Sequence, residues 1–590
     1  MKDTTAAIMA KYLEQENVKY LFGVPGAHVL PLYDAIYRTT SIKPVLSKHE
    51  AGGAFMAYGY AAVTRNLGVC CGTVGPGATN LVSGVTAAHM DSIPLLVITG
   101  QVGTKAFGRS AHQEATGHGR TIDQCALFRN ITKMSVMITD KDSMSRTLRS
   151  AIRAALSGRP GPVHIAFPSN IQLEEISEEI ILPENYRPVK GANALSMDQI
   201  KIIGDLVYNA ENPAMLIGYG ASGCAGNGII IELAERLQIP VATSGKAKGV
   251  FPEDHPLSLG CLSIRGSKAA NTYLRSDIDV LLVVGTDFSE MTSHGWDPKL
   301  QPLKALIQID IDPNEIGKNY SVKAGLVADA NDALHSLNSY LLEFPPKAKR
   351  DLIPFKKSMQ YYDEPESNSE KLPLKPQRLM KELRNSLPRD TLIFGDMGNT
   401  YSWILRYFQS YPEGMNFLPS GMACMGSSVA ACIGGKLGKQ GSPVVCICGD
   451  GDFLMTGMEV LTAVDYKIPV IWVILKNNRL GAIHDVQKLS YQGRISASMF
   501  TDIDFVSIAR AFGAGGFRIE KPEDIASAVK NALEINGPVI LEAIIDPDEK
   551  FPLTRRAIAL KDSLGLPKVM KSISVESVRA LMKMFKNKEV

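Results

Sequence analysis

Three doubly wound α/β units, each a parallel sheet flanked by helices, follow from two patterns in the chain. Short apolar runs such as Ile93–Ile98, the Val-Leu-Leu-Val-Val stretch after Asp279 and Pro443–Cys448 alternate with helix-length stretches. Each run ends on a loop rich in Gly, Asp or Thr, as buried parallel strands do when they deliver loops at their carboxyl ends. Repetition is the second pattern. GRPGPVHIAFPSN, which closes the first 175 residues, and NGPVILEAIID, which begins at Asn536, enter a late strand through the same Gly-Pro-Val turn. The first and last thirds therefore read as related domains.

Taken in order, residues 1–175 form the first unit, and a polar connection near 172–194 ends it. Residues 195–345 form the second: AMLIGYGA from Ala214, DVLLVVGTDF from Asp279 and LIQIDIDP from Leu306 are strands with polar carboxyl-end loops, a Rossmann-like arrangement. The charged, proline-interrupted stretch 346–375 reads as a linker. The third unit spans 376–555 and a tail 556–590, with Arg555 and Arg556 in the stretch after Pro552. Its Lys-rich amphipathic end at 574–590 reads as a solvated helix, with closure over a site as the alternative.

Composition narrows the function. A chain of 590 residues, 45% hydrophobic and 21% charged, has the make-up of a globular protein with a sizeable core. A net charge of +3, spread along the chain, leaves no electrostatic footprint for nucleic acid. The start, MKDTTAAIMAKYLEQENVKYLFGV, lacks the apolar core of a signal peptide, and no apolar run reaches the roughly 18 residues of a membrane span. The nine cysteines show no Cys-x-x-Cys pairing; they are expected to be reduced and buried, in a cytoplasmic protein.

The most specific local signal is GDGDFLMTGMEVLTAVDYKIPVIWVILKNN, from Gly449 to Asn478. Gly449 and Gly451 allow a sharp turn and a close backbone approach, and a helix expected over Met455–Val464 offers free N–H groups to an anion. Asp450 and Asn477, 27 positions apart, then fall at the carboxyl ends of neighbouring strands. One carboxylate, one amide oxygen, a backbone carbonyl and ligand phosphates make a magnesium site. The bland alternative is a tight turn and a loop asparagine pair.

Further motifs add to this segment: FGVPGAHVLPLYDA, LSKHEAGGAFMAYGYA and GTVGPGATNLVSGVTAAHMDSIPLLVITGQV in the first unit, and SGMACMGSS in the third. Together they resemble thiamine-diphosphate enzymes of the acetohydroxyacid synthase and pyruvate oxidase group, over nearly the whole chain. The resemblance implies a pyrimidine-binding first domain, a central Rossmann-like domain and a diphosphate-binding third domain.

It also implies roles. Glu50 of the Lys-His-Glu motif would hydrogen-bond the cofactor pyrimidine and promote removal of the thiazolium proton. Flanked by Ala51, Gly52, Gly53 and Ala54, it is expected to be desolvated; a helix-start Glu favouring the dipole is the alternative. Met425 would wedge the cofactor into its bent form, the Ala423 carbonyl would accept from the exocyclic amine, and Gly75, Pro76 and Gly77 would lie along the pyrimidine. Asn399 would contact phosphate. Gln113 matches a glutamine that touches the substrate-derived group, and His28, His112 and His484 are candidates for neutral polar contacts. A lone histidine is more often a satisfied structural group, and a methionine more often core filler.

The chain departs from its relatives in places. Leu475-Lys476-Asn477-Asn478-Arg479-Leu480-Gly481 replaces the usual Leu-Asn-Asn run, which puts Asn477 and the Arg479 carbonyl on the metal with Asp450. Asp452 adds a second carboxylate after the diphosphate turn, expected either to point away from the phosphates or to reach a cation such as Lys476. Met291 and Val486 stand where acetohydroxyacid synthases have an arginine for the acceptor carboxylate and a tryptophan that senses its size. An acceptor carboxylate without its guanidinium is costly to bury.

The expectation is therefore a lyase or transferase with thiamine diphosphate and Mg2+, which decarboxylates a 2-oxo acid such as pyruvate and transfers the acyl unit to an aldehyde or ketone, a carboligase of acetolactate synthase type. Non-oxidative decarboxylation, FAD-linked oxidation of pyruvate and a silent regulatory relative are the alternatives. The central segments around Gly218, Gly260, Gly285 and Asp310 are similar in position to those that hold FAD, although Asp287 replaces a usual arginine; FAD is left open. The resemblance also implies a homodimer or homotetramer, because Glu50 and Asp450 would serve sites shared between chains.

Overall fold

The computed structural model describes residues 3–187, 195–352, 356 and 364–550. Parts of the 172–194 connection and of the 346–375 linker, and the whole expected tail with Arg555 and Arg556, lie outside the described residues.

Three six-stranded sheets, parallel throughout, organise the chain. The first holds β1 (Tyr20–Gly23), β2 (Lys43–Leu46), β3 (Gly68–Gly72), β4 (Leu95–Gln101), β5 (Met134–Met137) and β6 (Val163–Pro168), in the order β2-β1-β3-β4-β6-β5. The middle sheet holds β7 (Pro213–Ile217), β8 (Val241–Ser244), β9 (Ser258–Leu262), β10 (Val280–Val284), β11 (Ala305–Asp310) and β12 (Ala324–Val327). Their order, β9-β8-β7-β10-β11-β12, is that of a dinucleotide-binding fold. The third sheet holds β13 (Leu392–Gly395), β14 (Asn416–Phe417), β15 (Val444–Gly449), β16 (Ile471–Lys476), β17 (Gly515–Ile519) and β18 (Val539–Ile544), ordered β14-β13-β15-β16-β18-β17. First and third sheets thus share one strand order, as the repeated Gly-Pro-Val turn leads one to expect. The central strands of all three are buried on both faces, which is why they read as unbroken apolar runs.

The first and third sheets meet through helices α1 (Glu50–Thr64) and α4 (Ser427–Gly438). Both are rich in Gly and Ala, so their backbones touch. A Cβ at Gly59 would fall 1.9 Å from the Ala431 carbonyl oxygen, and one at Gly434 would fall 1.8 Å from that of Met56. One core runs continuously through this crossing, from Phe22 and Val97 to Trp472 and Ile540.

The helix after the Gly-Asp-Gly turn begins earlier than Met455. Helix α5 spans Asp450–Thr456, a 3-10 turn covers Gly457–Glu459, and α6 follows at Val460–Asp465. Gly449 N–H donates to the Asp452 carboxylate at 2.9 Å, and this cap starts the helix at Asp450 despite the low helix propensity of Gly451.

Candidate active site

Two groups of residues emerge, one at the carboxyl edge of each outer sheet. In the third sheet, β13 leads through Gly398 (φ 72°) into α3 (Asn399–Tyr407), and the adjacent β15 leads into α5. Two helix N-termini therefore open on one space, the arrangement that suits a diphosphate. Asp450 opens α5, and Asn477 follows the end of β16, the strand beside β15. The Asp450 carboxylate accepts from its neighbours' backbone: Gly451 N–H at 2.8 Å, Asn477 N–H at 2.9 Å and Asn478 N–H at 2.5 Å. Arg479 N–H donates to Asn477 Oδ1 at 3.3 Å.

Two more carboxylates lie close by. Asp396, fully buried, accepts from the N–H groups of Met397, Gly426, Ser428 and Val429. Burial, opposed by those four donors, pushes its carboxyl up to about 6. Burial and then the Asp396 charge push Asp452 well above the carboxylate range, and burial, against its three N–H donors, also raises Asp450. Among the described residues no lysine or arginine pairs with any of the three. Lys476 bonds Asp502 at 2.6 Å and Glu542 at 2.8 Å, so of the two alternatives for Asp452 the contact with Lys476 is not the one made.

These residues fit a hard divalent cation. It would supply beside Asp450 the countercharge that the protein withholds, with Asn477 Oδ1 and the Arg479 carbonyl as neutral oxygen ligands. No cluster of three His, Cys, Asp or Glu side chains suited to a metal occurs among the described residues. A site of one carboxylate and neutral oxygens does not depend on such a cluster.

Ala423 and Met425 sit in a loop held at both ends. Asp91, buried at the end of α2 (Pro76–Asp91), accepts Gly421 N–H at 2.9 Å, the Tyr58 hydroxyl at 3.0 Å and Lys246 Nζ at 2.5 Å. Asp396 holds Gly426 N–H, and Thr456 Oγ1 donates to the Gly426 carbonyl at 2.6 Å. Ala423 is in the left-handed region, φ 57°, a conformation that the held ends impose. The Met425 methyl lies 3.3 Å from where a Cβ on Gly451 would be, so it packs directly over the turn.

The second group surrounds Glu50, the first residue of α1. Its carboxylate accepts from Asn80 Nδ2 at 2.9 Å, and a Cβ on Gly77 would come within 3.4 Å of it. Glu50 is half-buried within the chain, and its small neighbours pack on other parts: Gly52 against Glu459, Gly53 against Gly23 and Ser47, Ala54 against Gly84. Gly75 and Gln113 both have positive φ, 69° and 63°, and lie against one another. His28 is close to His112; burial first, then the His112 charge, lowers its pKa. Among the described residues three buried polar atoms here have no hydrogen-bond partner: His28 Nδ1, Ser47 Oγ and Thr73 Oγ1, in the loops after β1, β2 and β3. Buried polar atoms are rarely left unpaired, so this edge suits a polar heterocycle.

Among the described residues the two groups do not share one space. A cavity of about 1870 Å³ has Asn399, Ala423, Met425, Asp450, Asn477 and Arg479 in its wall, but not Glu50, Gly75, Gln113, His28 or His112. It extends across the middle sheet to Tyr219, Thr286, Met291 and Asp310. His484 is outside the cavity wall but borders the first set. It is buried in α7 (Gly481–Ser490), with Nε2 3.4 Å from Arg479 Nη1. Asn399 Nδ2 donates to Asp485 of the same helix at 3.0 Å. Asp396, Asp91 and Asn80 went unrecognised in the sequence; only the Gly-Asp-Met-Gly run before Asn399 marked Asp396.

Comparison with known proteins agrees with the three-domain fold. Family models for thiamine pyrophosphate enzymes match three stretches: the N-terminal TPP binding domain at residues 3–127, the central domain at 200–337 and the C-terminal TPP binding domain at 396–543. A probable acetolactate synthase large subunit of Methanocaldococcus jannaschii is 37% identical over 567 residues, 94% of this chain and 93% of that protein. The acetolactate synthase large subunit of Corynebacterium glutamicum is 33% identical, over 95% of this chain and 91% of that one. Isozyme 1 of the acetolactate synthase large subunit of Escherichia coli K12 is 31% identical, over 95% and 98%. With near full-length identity above 30% and all three domain models in order, the chain belongs to the thiamine pyrophosphate enzymes, in the branch that contains the acetolactate synthase large subunits.

Proposed function

We propose that this enzyme decarboxylates a small 2-oxo acid, pyruvate foremost, and joins the acyl unit to an aldehyde or ketone, with thiamine diphosphate and Mg2+ as cofactors. The observation that carries the reading is Asp450: a buried carboxylate without a basic partner among the described residues, beside Asn477 and under Met425, at two converging helix N-termini. When bound, thiamine diphosphate supplies a thiazolium carbon that adds to the 2-oxo acid and carries the acyl unit once carbon dioxide has left.

The chain's own residues do the rest. Asp450, Asn477 Oδ1 and the Arg479 carbonyl hold the metal, and the first-turn N–H groups of α3 and α5 bind phosphate oxygens. Met425 and the Ala423 carbonyl, fixed by Asp91 and Asp396, position the rings. Glu50 holds a proton at the pyrimidine nitrogen, and Gln113 orients the substrate. Met291, in the cavity wall, and Val486, exposed on α7, bring no positive charge to the acceptor. This favours an acceptor whose carboxylate, if it has one, is not held in the synthase manner.

Each half-site is completed by a second copy of the chain, since one chain keeps Glu50 out of the cavity that holds Asp450. A dimer or tetramer is the expected mass in solution. The cavity's extension along the middle sheet supports FAD as a further ligand, which flavin absorbance of the purified protein checks. The cysteines are unpaired thiols, in keeping with a cytoplasmic setting, and no helix among the described residues is long and apolar enough to cross a membrane. Incubation with pyruvate, thiamine diphosphate, Mg2+ and a panel of aldehydes and ketones tests the reaction. Coupled products are expected; free aldehyde alone, whatever acceptor is supplied, would refute carboligation.

A further inference from the structure

Glu459 lies nine residues beyond Asp450, on the 3-10 turn between α5 and α6, yet its carboxylate is spent on the first sheet. It is 1% exposed. Oε1 accepts Lys48 N–H at 3.1 Å and His49 N–H at 3.0 Å, Oε2 accepts Lys48 N–H at 3.0 Å, and Thr462 Oγ1 donates to Oε2 at 2.7 Å. Lys48 and His49 immediately precede Glu50. Without Glu459 their N–H groups, at the start of α1, would lose these acceptors.

The contact is built from both sides. A Cβ on Gly52 would sit 2.1 Å from Glu459 Oε1, so a residue without a side chain is what admits the carboxylate. Around it the same segment docks again: Leu46 N–H donates to the Tyr466 hydroxyl at 2.8 Å, Thr462 Oγ1 lies 3.2 Å from the Leu46 carbonyl, and Lys48 Nζ meets Asp465 at 2.5 Å. The strand-to-helix turn that presents Glu50 is thus seated on the segment that begins with Asp450.

We infer that Glu459 is a positioning residue for Glu50: it fixes the Lys48–Glu50 backbone, and with it the direction of the Glu50 carboxylate toward the cofactor pyrimidine. The inference rests on the role of Glu50 given above. A charged acceptor shared by two adjacent N–H groups holds the turn more stiffly than solvent does, and misplacing a proton-holding group by a fraction of an ångström slows transfer.

The test uses the full chain loaded with thiamine diphosphate and Mg2+, with Glu50→Gln, Glu459→Ala, Glu459→Gln and Gly52→Ala alongside the parent. Exchange of the cofactor's thiazolium proton for deuterium is read by rapid quench, and amide exchange at Lys48 and His49 is read on the unloaded chain. Glu459→Ala and Gly52→Ala are expected to slow thiazolium exchange by about tenfold or more per occupied site and to unprotect both amides. Magnesium affinity, set by Asp450, stays within about threefold. Glu459→Gln, which keeps one acceptor oxygen, falls between. Should Glu459→Ala fail to fold, Gly52→Ala and Glu459→Gln carry the same comparison. Thiazolium exchange within twofold of the parent in these variants, while Glu50→Gln slows it, would overturn the positioning role alone. Unchanged exchange in Glu50→Gln would remove the role of Glu50 and the inference with it.

Discussion

Glu50 and Asp450 are each the first residue of a helix, at equivalent edges of two sheets with the same strand order, yet their surroundings differ. Asp450 is buried among backbone donors, and its charge calls for a cation. Asp450→Asn should therefore weaken Mg2+ binding by at least about tenfold, read by titration of the metal against cofactor retention. Both residues stand in short sequence motifs, Asp450 in the Gly-Asp-Gly run and Glu50 in Lys-His-Glu, which is why both were legible in the sequence. Asp91, Asp396 and Glu459 were not, since each acts on a loop far away in the chain. The partner of Lys476 was hidden for the same reason: Glu542, on the next strand, is 66 positions on. His164 is another such residue. It stacks on Phe128, meets Thr99 and Ser135 through its two ring nitrogens, and burial lowers its pKa to about 3. A depressed histidine contributes stability that is full above its unfolded pKa of about 6.5 and is lost as pH falls below it. The thermal midpoint of the unloaded chain should fall between pH 6.5 and 5, and His164→Asn should flatten that part of the slope.

At the scale of elements, the crossing of α1 and α4 decides how the outer sheets lie together. Glycines at 59 and 434 bring carbonyl groups to within reach of the facing helix, and any side chain there forces the helices apart. Gly434→Ala is expected to cost about 1–3 kcal/mol by overpacking, measured as a lowered urea midpoint without a change in slope. That α1 and α4 face each other is not legible in their sequences, because small residues suit a close helix crossing and an ordinary buried helix alike. The start of α5 was misjudged by five residues: Gly451 argues against a helix locally, and the cap from Asp452 to Gly449 outweighs it.

Across the whole molecule, the three sheets were legible from apolar runs and their carboxyl-end loops, and the kinship of the outer two from one repeated turn. Which faces meet was not, since that depends on contacts between residues hundreds of positions apart, such as Asp91 with Gly421 and Lys246. The central claim is that Glu50 of one chain serves Asp450 of another. Co-expression of Glu50→Gln and Asp450→Asn chains with different tags, followed by purification on both tags, isolates the mixed dimer. Such a dimer has one site with both changes and one site with neither, so it should show about half the parent's activity while each variant alone is inactive. A mixed dimer no more active than the two variants would contradict the shared site.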